Sequence, residues 1–255
     1  MVVGVAIRDK GRLKSQNSGI GAHWFSGGPN PACGVEVEPQ TYRLLLKWWL
    51  GVPLLPPTCA GVECPLCKAP CDTLGDHFVS CPLNHALARH TLVQDALLRV
   101  CEAARIPCLR EQGVTPEGNE RPADILLLHW QQGRDAAVDI MVSHPAQPSE
   151  YPLKVERMSA HLKKCEEGKL RKNQSLCDRL GWACLPFGVD SWGNLGPAAR
   201  GTFQQLVKRA TVALEGWAKA QRCAEIQQNV ARAIMMGVGR QLGVVHHVQR
   251  ADMEE

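Results

Sequence analysis

The sequence predicts a mixed α/β (α+β) fold, a sheet core flanked by helices, with a small cysteine-rich module ahead of it. Three observations predict this. Two short apolar runs, Ala123-Asp-Ile-Leu-Leu-Leu-His and Asp135-Ala-Ala-Val-Asp-Ile-Met-Val, bracket the turn-forming Gln131-Gln-Gly-Arg134, the pattern of two strands joined by a hairpin. Stretches with apolar residues at helical spacing precede and follow them. Upstream, Cys64-Pro-Leu-Cys67 is followed by His77 and Cys81 at metal-ligand spacing.

Taken in order, residues 1–36 are rich in Gly, Ser, Asn and Pro, as in Ser26-Gly-Gly-Pro-Asn-Pro, and are expected to form an irregular arm without chemistry of its own. Residues 37–90 are expected to hold a helix and the cysteine module. Apolar positions from Glu38 to Leu50 have helical spacing and stop at Gly51 and Pro53, and Leu54-Leu-Pro-Pro-Thr links onward. A long helix is expected from Pro82 to about Arg105, ended by Pro107. The sheet core spans 91–221: after the hairpin come a helix over Val155–Leu180, a strand over Ala183–Val189 and helices from Pro197. Residues 222–255 read as a C-terminal helix with a charged, frayed tail.

A chain of 255 residues, 45% hydrophobic and 21% charged, has the composition of an ordinary globular protein. No stretch approaches the roughly 18 consecutive apolar residues that a membrane span needs, so no membrane partner is expected. The N-terminal apolar run is too short for a secretory signal, so an intracellular location is expected. In a reducing compartment the clustered members of the twelve cysteines point to metal, and scattered ones such as Cys101, Cys108, Cys177 and Cys184 to small buried hydrophobes. The net charge of +4 is a weak pointer to an anionic partner, but between Lys154 and Arg179 eight Lys/Arg stand against four Asp/Glu.

Two acids carry the candidate chemistry. Hydrolysing a phosphodiester needs a hydroxide and a means of neutralising charge on the phosphate, and a divalent cation held by carboxylates supplies both. Asp124 starts one expected strand and Asp139 lies inside the next, so a hairpin brings them to a common point. Asp139 sits among Val138, Ile140 and Val142, and a carboxylate in an apolar strand needs an ionic or hydrogen-bonded partner, which a cation would be. Lys169 and Lys172, three apart on the following helix, share a face from which either can reach the acids. Lys163 and Lys164, earlier on that helix, are candidates for substrate phosphates, as are Arg89 and His90 on the helix after the cysteine module. For the module, Cys64, Cys67, His77 and Cys81 form a tetrahedral zinc set, with Cys59, Cys71, His85 and His90 close enough in sequence to leave the quartet open. Trp48 and Trp49 read as core beside it.

The order Arg121-Pro-Ala-Asp124, Asp135-Ala-Ala-Val-Asp139-Ile and Lys169-Leu-Arg-Lys172, followed by Gly181-Trp-Ala-Cys-Leu-Pro-Phe-Gly-Val-Asp190-Ser-Trp-Gly193, resembles the restriction-like endonuclease region of site-specific non-LTR retrotransposon proteins, within the PD-(D/E)XK superfamily. The resemblance covers roughly residues 40 to 210. It implies a restriction-endonuclease-like mixed sheet, Asp124 and Asp139 as ligands of magnesium or manganese, helix lysines at Lys169 or Lys172, and a Cys-Cys-His-Cys zinc knuckle just before the nuclease. It also implies a DNA-nicking enzyme in the nucleus that works on DNA, with RNA as a further partner. A Tyr/Phe-x-Asp-Asp pair is absent, so a reverse transcriptase would come from another chain. Two positions depart from the pattern: Ala123 separates Pro122 from Asp124, and Met141 stands where D-x-K has its lysine. The alternative from a different class is a catalytically inactive, zinc-dependent nucleic-acid-binding module.

Overall fold

A computed structural model describes residues 2–26, 37–110, 122–146 and 155–248. Arg121, most of the Gly/Pro stretch after Ser26 and the C-terminal tail therefore lie outside the described residues. The chain forms a four-stranded mixed sheet flanked by helices.

The first helix corrects the expected irregular arm: α1 runs Val2–Ser18. Its inward stripe is polar. Arg8, Arg12, Ser15 and Gln16 are all buried, so the apolar periodicity that announces a helix is missing. Each is met by a partner from elsewhere: Arg8 by Asp76, Ser15 by Asp190 at 2.7 Å, and both Arg12 and Gln16 by the Trp49 carbonyl at 2.6 and 2.7 Å.

Helix α2 (Pro39–Leu50) begins with proline, whose missing N–H costs nothing in a first turn, and the Glu38 carboxylate accepts from the Gln40 and Thr41 amides at 3.0 and 2.9 Å. It stops at Gly51, whose φ of 75° is the left-handed conformation that glycine adopts most readily. A short helix α3 (Asp76–Ser80) and the long α4 (Ala86–Ala103) follow the cysteine module.

Strand β1 (Cys108–Arg110) pairs antiparallel with β2 (Ile125–Gln131), and β2 with β3 (Arg134–Ser143). The β2–β3 turn uses Gln132 and Gly133 at φ 52° and 76°, the positive pair whose twist matches flanking strands. The register places Ile125 across from Val138, and the Asp124 amide donates to the Val138 carbonyl at 2.9 Å. One step outward, Asp124 falls opposite Asp139. Helix α5 (Val155–Leu180) then crosses over to β4 (Ala183–Asp190), which pairs parallel with β3 along its length. Helices α6 (Pro197–Ala210) and α7 (Gly216–Leu242) complete the fold.

Two large apolar cores result among the described residues, beside a small cluster of Ala123, Ala137 and Cys177. One lies under the sheet, with Leu97, Ile125, Ile140, Phe187 and Phe203; the other gathers Leu45, Trp48, Phe78 and Trp192 around the cysteine module. Helix α7 joins them, giving Val230 and Ile234 to the first and Met235, Val238 and Leu242 to the second.

Asp190, at the end of β4, is buried, and burial pushes its carboxyl up to about 6 against hydrogen bonds from Ser15 and the Asn194 and Trp192 amides. The folded chain thus holds this proton more tightly than the unfolded one, whose ordinary value is 3.8. Its contribution is full below about pH 4 and is lost as pH rises through about 6. Asp190→Asn keeps an acceptor for the two amides and can turn its amide toward Ser15 Oγ. Thermal melts across about pH 4 to 7 should show this component of the slope removed in the variant; an unchanged slope would refute the assignment.

Candidate functional site

Two centres lie on either side of α4. The first is built on β2, β3 and α5. Asp139 is buried, and α5 supplies both of its partners: Lys169 Nζ donates to Oδ1 at 2.7 Å and Asn173 Nδ2 to Oδ2 at 2.6 Å. Four residues separate these two donors, one helical turn, so both sit on the α5 face that meets β3. Across the hairpin, Asp124 Oδ2 accepts the Ile140 amide at 2.6 Å and lies 3.0 Å from His90 Nε2. One turn further along α4, Gln94 donates to the Asp124 carbonyl at 2.7 Å, so α4 grips this residue twice.

These surroundings drive the two acids apart. Burial pushes the Asp139 carboxyl up, and the Asp124 charge adds to the rise while Lys169 opposes it. For Asp124 burial also works upward, but the His90 hydrogen bond and charge, the Ile140 amide and Lys169 outweigh it and hold the carboxyl below its ordinary value. His90 is raised in turn, chiefly by its hydrogen bond to Asp124. Neighbouring carboxylates with divergent proton affinities are a common feature of sites for acid–base or cation chemistry.

The second centre is the cysteine module. The Cys64 amide donates to the Ala69 carbonyl and the Lys68 amide to the Cys64 carbonyl, at 2.8 and 3.0 Å, making the tight turn that aims two thiols one way. Asp72 caps α3, accepting from the Leu74, Asp76 and His77 amides at 2.9, 3.1 and 2.6 Å, which fixes where the His77 ring begins. The ligand atoms of Cys64, Cys67, His77 and Cys81 all lie within 4.8 Å of one another, and His77 Nε2 is 3.3 Å from Cys67 Sγ. Burial lowers the His77 proton affinity and so favours the neutral imidazole that a metal takes. Three soft thiols and one imidazole in this arrangement can bind zinc. Cys71 is buried nearby and falls outside the group of four whose ligand atoms lie within 4.8 Å of one another.

The remaining candidates separate. Lys169 is the lysine at the acids, while Lys172 is exposed and acts on Asp139 only through its charge. Lys163 and Lys164 are exposed on α5. Arg89 is corrected: it is buried, with Nη1 and Nη2 donating to the Val79 and Val142 carbonyls at 3.1 Å each, so it ties α3 and β3 to α4 and offers nothing to a phosphate. His90 is engaged by Asp124. Sequence reasoning missed Asn173 and the His90–Asp124 contact; the first was findable as the residue one turn beyond Lys169, the second was not, because nothing local joins α4 to β2.

No protein-family model matches the chain, and no curated protein matches it.

Zinc should be found at one ion per chain by elemental analysis. Cys64→Ser or Cys67→Ser should lose it and melt more than about 5 °C lower, whereas Cys71→Ser should keep it. Equal metal content in all three variants would refute the quartet.

Proposed function

We propose that this chain is a divalent-metal-dependent DNA endonuclease of the restriction-like kind, related to the nuclease region of site-specific non-LTR retrotransposon proteins, with the Cys-Cys-His-Cys set holding a structural zinc. The observation that carries the reading is the convergence of Asp139, Lys169 and Asn173 at the edge of the hairpin where Asp124 stands opposite. Supporting it, the lysine absent from the D-x-K position, where Met141 stands, is replaced by an amine 2.7 Å from the second acid.

Asp124 and Asp139 offer hard carboxylate oxygens, a fit for magnesium or manganese. A cation bound there would supply a hydroxide at neutral pH and neutralise charge on the phosphate. Lys169 holds Asp139 in place and brings a positive charge to the spot where negative charge develops in the transition state. His90 and the Ile140 amide fix the Asp124 carboxylate on one oxygen, Oδ2. Asn173 fixes the other oxygen of Asp139 against rotation. DNA is the proposed substrate, RNA a further ligand, a reverse transcriptase on another chain a partner and the nucleus the location, all on the strength of the resemblance. Among the described residues no helix is long and apolar enough to cross a membrane.

One observation favours the second reading, an inactive binding module: both Asp139 oxygens are already satisfied by side chains of the same protein. The two readings part on catalysis. With magnesium or manganese, wild type should nick supercoiled plasmid, and Asp124→Ala or Asp139→Ala should lose at least about 100-fold, the scale of removing one preorganised electrostatic group. Lys169→Gln should fall by a similar factor and Lys172→Gln by less than about 10-fold. Salt-sensitive DNA binding with no nicking in wild type would select the binding module.

A further inference from the structure

Away from both centres, α1, α5 and the start of α6 enclose a cleft of about 520 Å³. Lys14, Lys163 and Arg200 reach it from three segments far apart in sequence, and among the described residues no carboxylate lines it. Three like charges converging on a concave surface repel one another, and an anion between them relieves that cost. Arg200 is already oriented: its Nη2 donates to Asn194 Oδ1 at 3.1 Å and to the Leu195 carbonyl at 3.3 Å, leaving other guanidinium N–H groups for a ligand. Lys163 has only a long contact to Glu167, at 3.9 Å, between exposed side chains. The start of α6 adds little attraction, because Glu166 already takes the Ala198 and Ala199 amides. The pull on an anion therefore comes from the three side chains.

We propose that this cleft grips the phosphate backbone of a nucleic acid, independently of base sequence. Pro197 lies exposed in the lining among the cations, offering apolar surface to the sugars between charged phosphates. Lys163 precedes Lys169 by six positions on α5, about 9 Å along the axis at a rise of 1.5 Å per residue. That separation equals two to three nucleotides at roughly 3.4 Å each. Six positions also turn the helix by about 240°, so a nucleic acid that spans both would have to wrap across α5 from the acids to the cleft. This last step rests on the endonuclease reading; the grip on phosphate does not.

The test uses the full chain and a fluorescent duplex of arbitrary sequence, titrated between about 50 and 200 mM salt. Lys14→Gln/Lys163→Gln/Arg200→Gln should make the plot of log affinity against log salt shallower by about 2 to 3, since each lost phosphate contact removes close to 0.9. A charge-matched control, Arg43→Gln/Lys47→Gln/Lys219→Gln, should leave the slope within about 0.5 of wild type. If the triple variant folds poorly, Lys14→Gln/Lys163→Gln, which changes only exposed side chains, should still lower the slope by about 1 to 2. A slope no lower than the control's overturns the proposal. So does a cleft that inorganic pyrophosphate occupies without competing with the duplex, which would make it a small-anion pocket. Magnesium-dependent nicking is scored in parallel: no nicking with the slope shift intact sinks the endonuclease reading alone, and nicking with an unshifted slope sinks the cleft alone.

Discussion

Arg8 has its guanidinium enclosed and directs Nε and Nη2 onto the two oxygens of Asp76, both at 2.7 Å, in a bidentate pair with both partners buried. His144 Nε2 approaches the same carboxylate at 3.2 Å, and His144 Nδ1 meets Ser191 Oγ at 2.6 Å. Through four side chains, α1, the cysteine module, the end of β3 and the loop after β4 meet at one point. Burial alone would raise the Asp76 carboxyl, but Arg8 and His144 hold it far below the ordinary carboxylate range. A pair of this kind adds little net stability over apolar packing, yet removing one partner strands a buried charge, at a cost of about 3 to 5 kcal/mol. What it secures is registration: with its guanidinium over the Trp192 ring at 5.6 Å, Arg8 has its charge met at Asp76.

The same registration reaches the acids. Asp76 starts the helix whose next residue is His77, so the ion pair and a metal held by the module would both fix the start of α3. Arg89 ties the end of that helix, at the Val79 carbonyl, to β3 at the Val142 carbonyl. Its neighbour His90 then holds Asp124. Close packing leaves this no slack: a Cβ on Gly237 of α7 would stand 2.5 Å from Arg89 Cγ. The cysteine module and the acids are thereby joined through one turn of α4.

Legibility followed the direction of the forces. Helices and strands with one apolar face were readable, and α5 and the β2–β3 hairpin were expected close to where they stand, because burying Ile125, Ile140 and Leu162 imposes a period on the sequence. The Cys64, Cys67, His77 and Cys81 cluster was readable because its members are local in sequence. The first helix was not, since its buried face is Arg8, Arg12, Ser15 and Gln16, and a polar stripe has no signature apart from the partners that satisfy it. Arg89 was misplaced for the same reason. A buried arginine and a phosphate-binding one look alike in sequence and differ only in whether carbonyls such as those of Val79 and Val142 await them.

The buried acids themselves argue for where chemistry resides. Glu166 gives its oxygens to the amides of Gly188, Ala198 and Ala199, and Asp190 to those of Trp192 and Asn194 and to Ser15. Backbone amides in a packed turn cannot withdraw, so these carboxylates are committed to the fold. Asp139 differs in that its partners are the ends of two side chains, one of them a lysine whose side chain is 30% exposed. Asp124 leaves Oδ1 without a hydrogen bond in the described network and keeps about a quarter of its side chain exposed. A cation arriving from solvent can displace an ammonium or share a free oxygen at modest cost, whereas it would have to unfold a loop to reach Glu166 or Asp190. Unlike Glu166 and Asp190, held by backbone amides, and Asp76, whose side-chain partners Arg8 and His144 are themselves enclosed, the hairpin pair combines a desolvated charge with partners that solvent can reach.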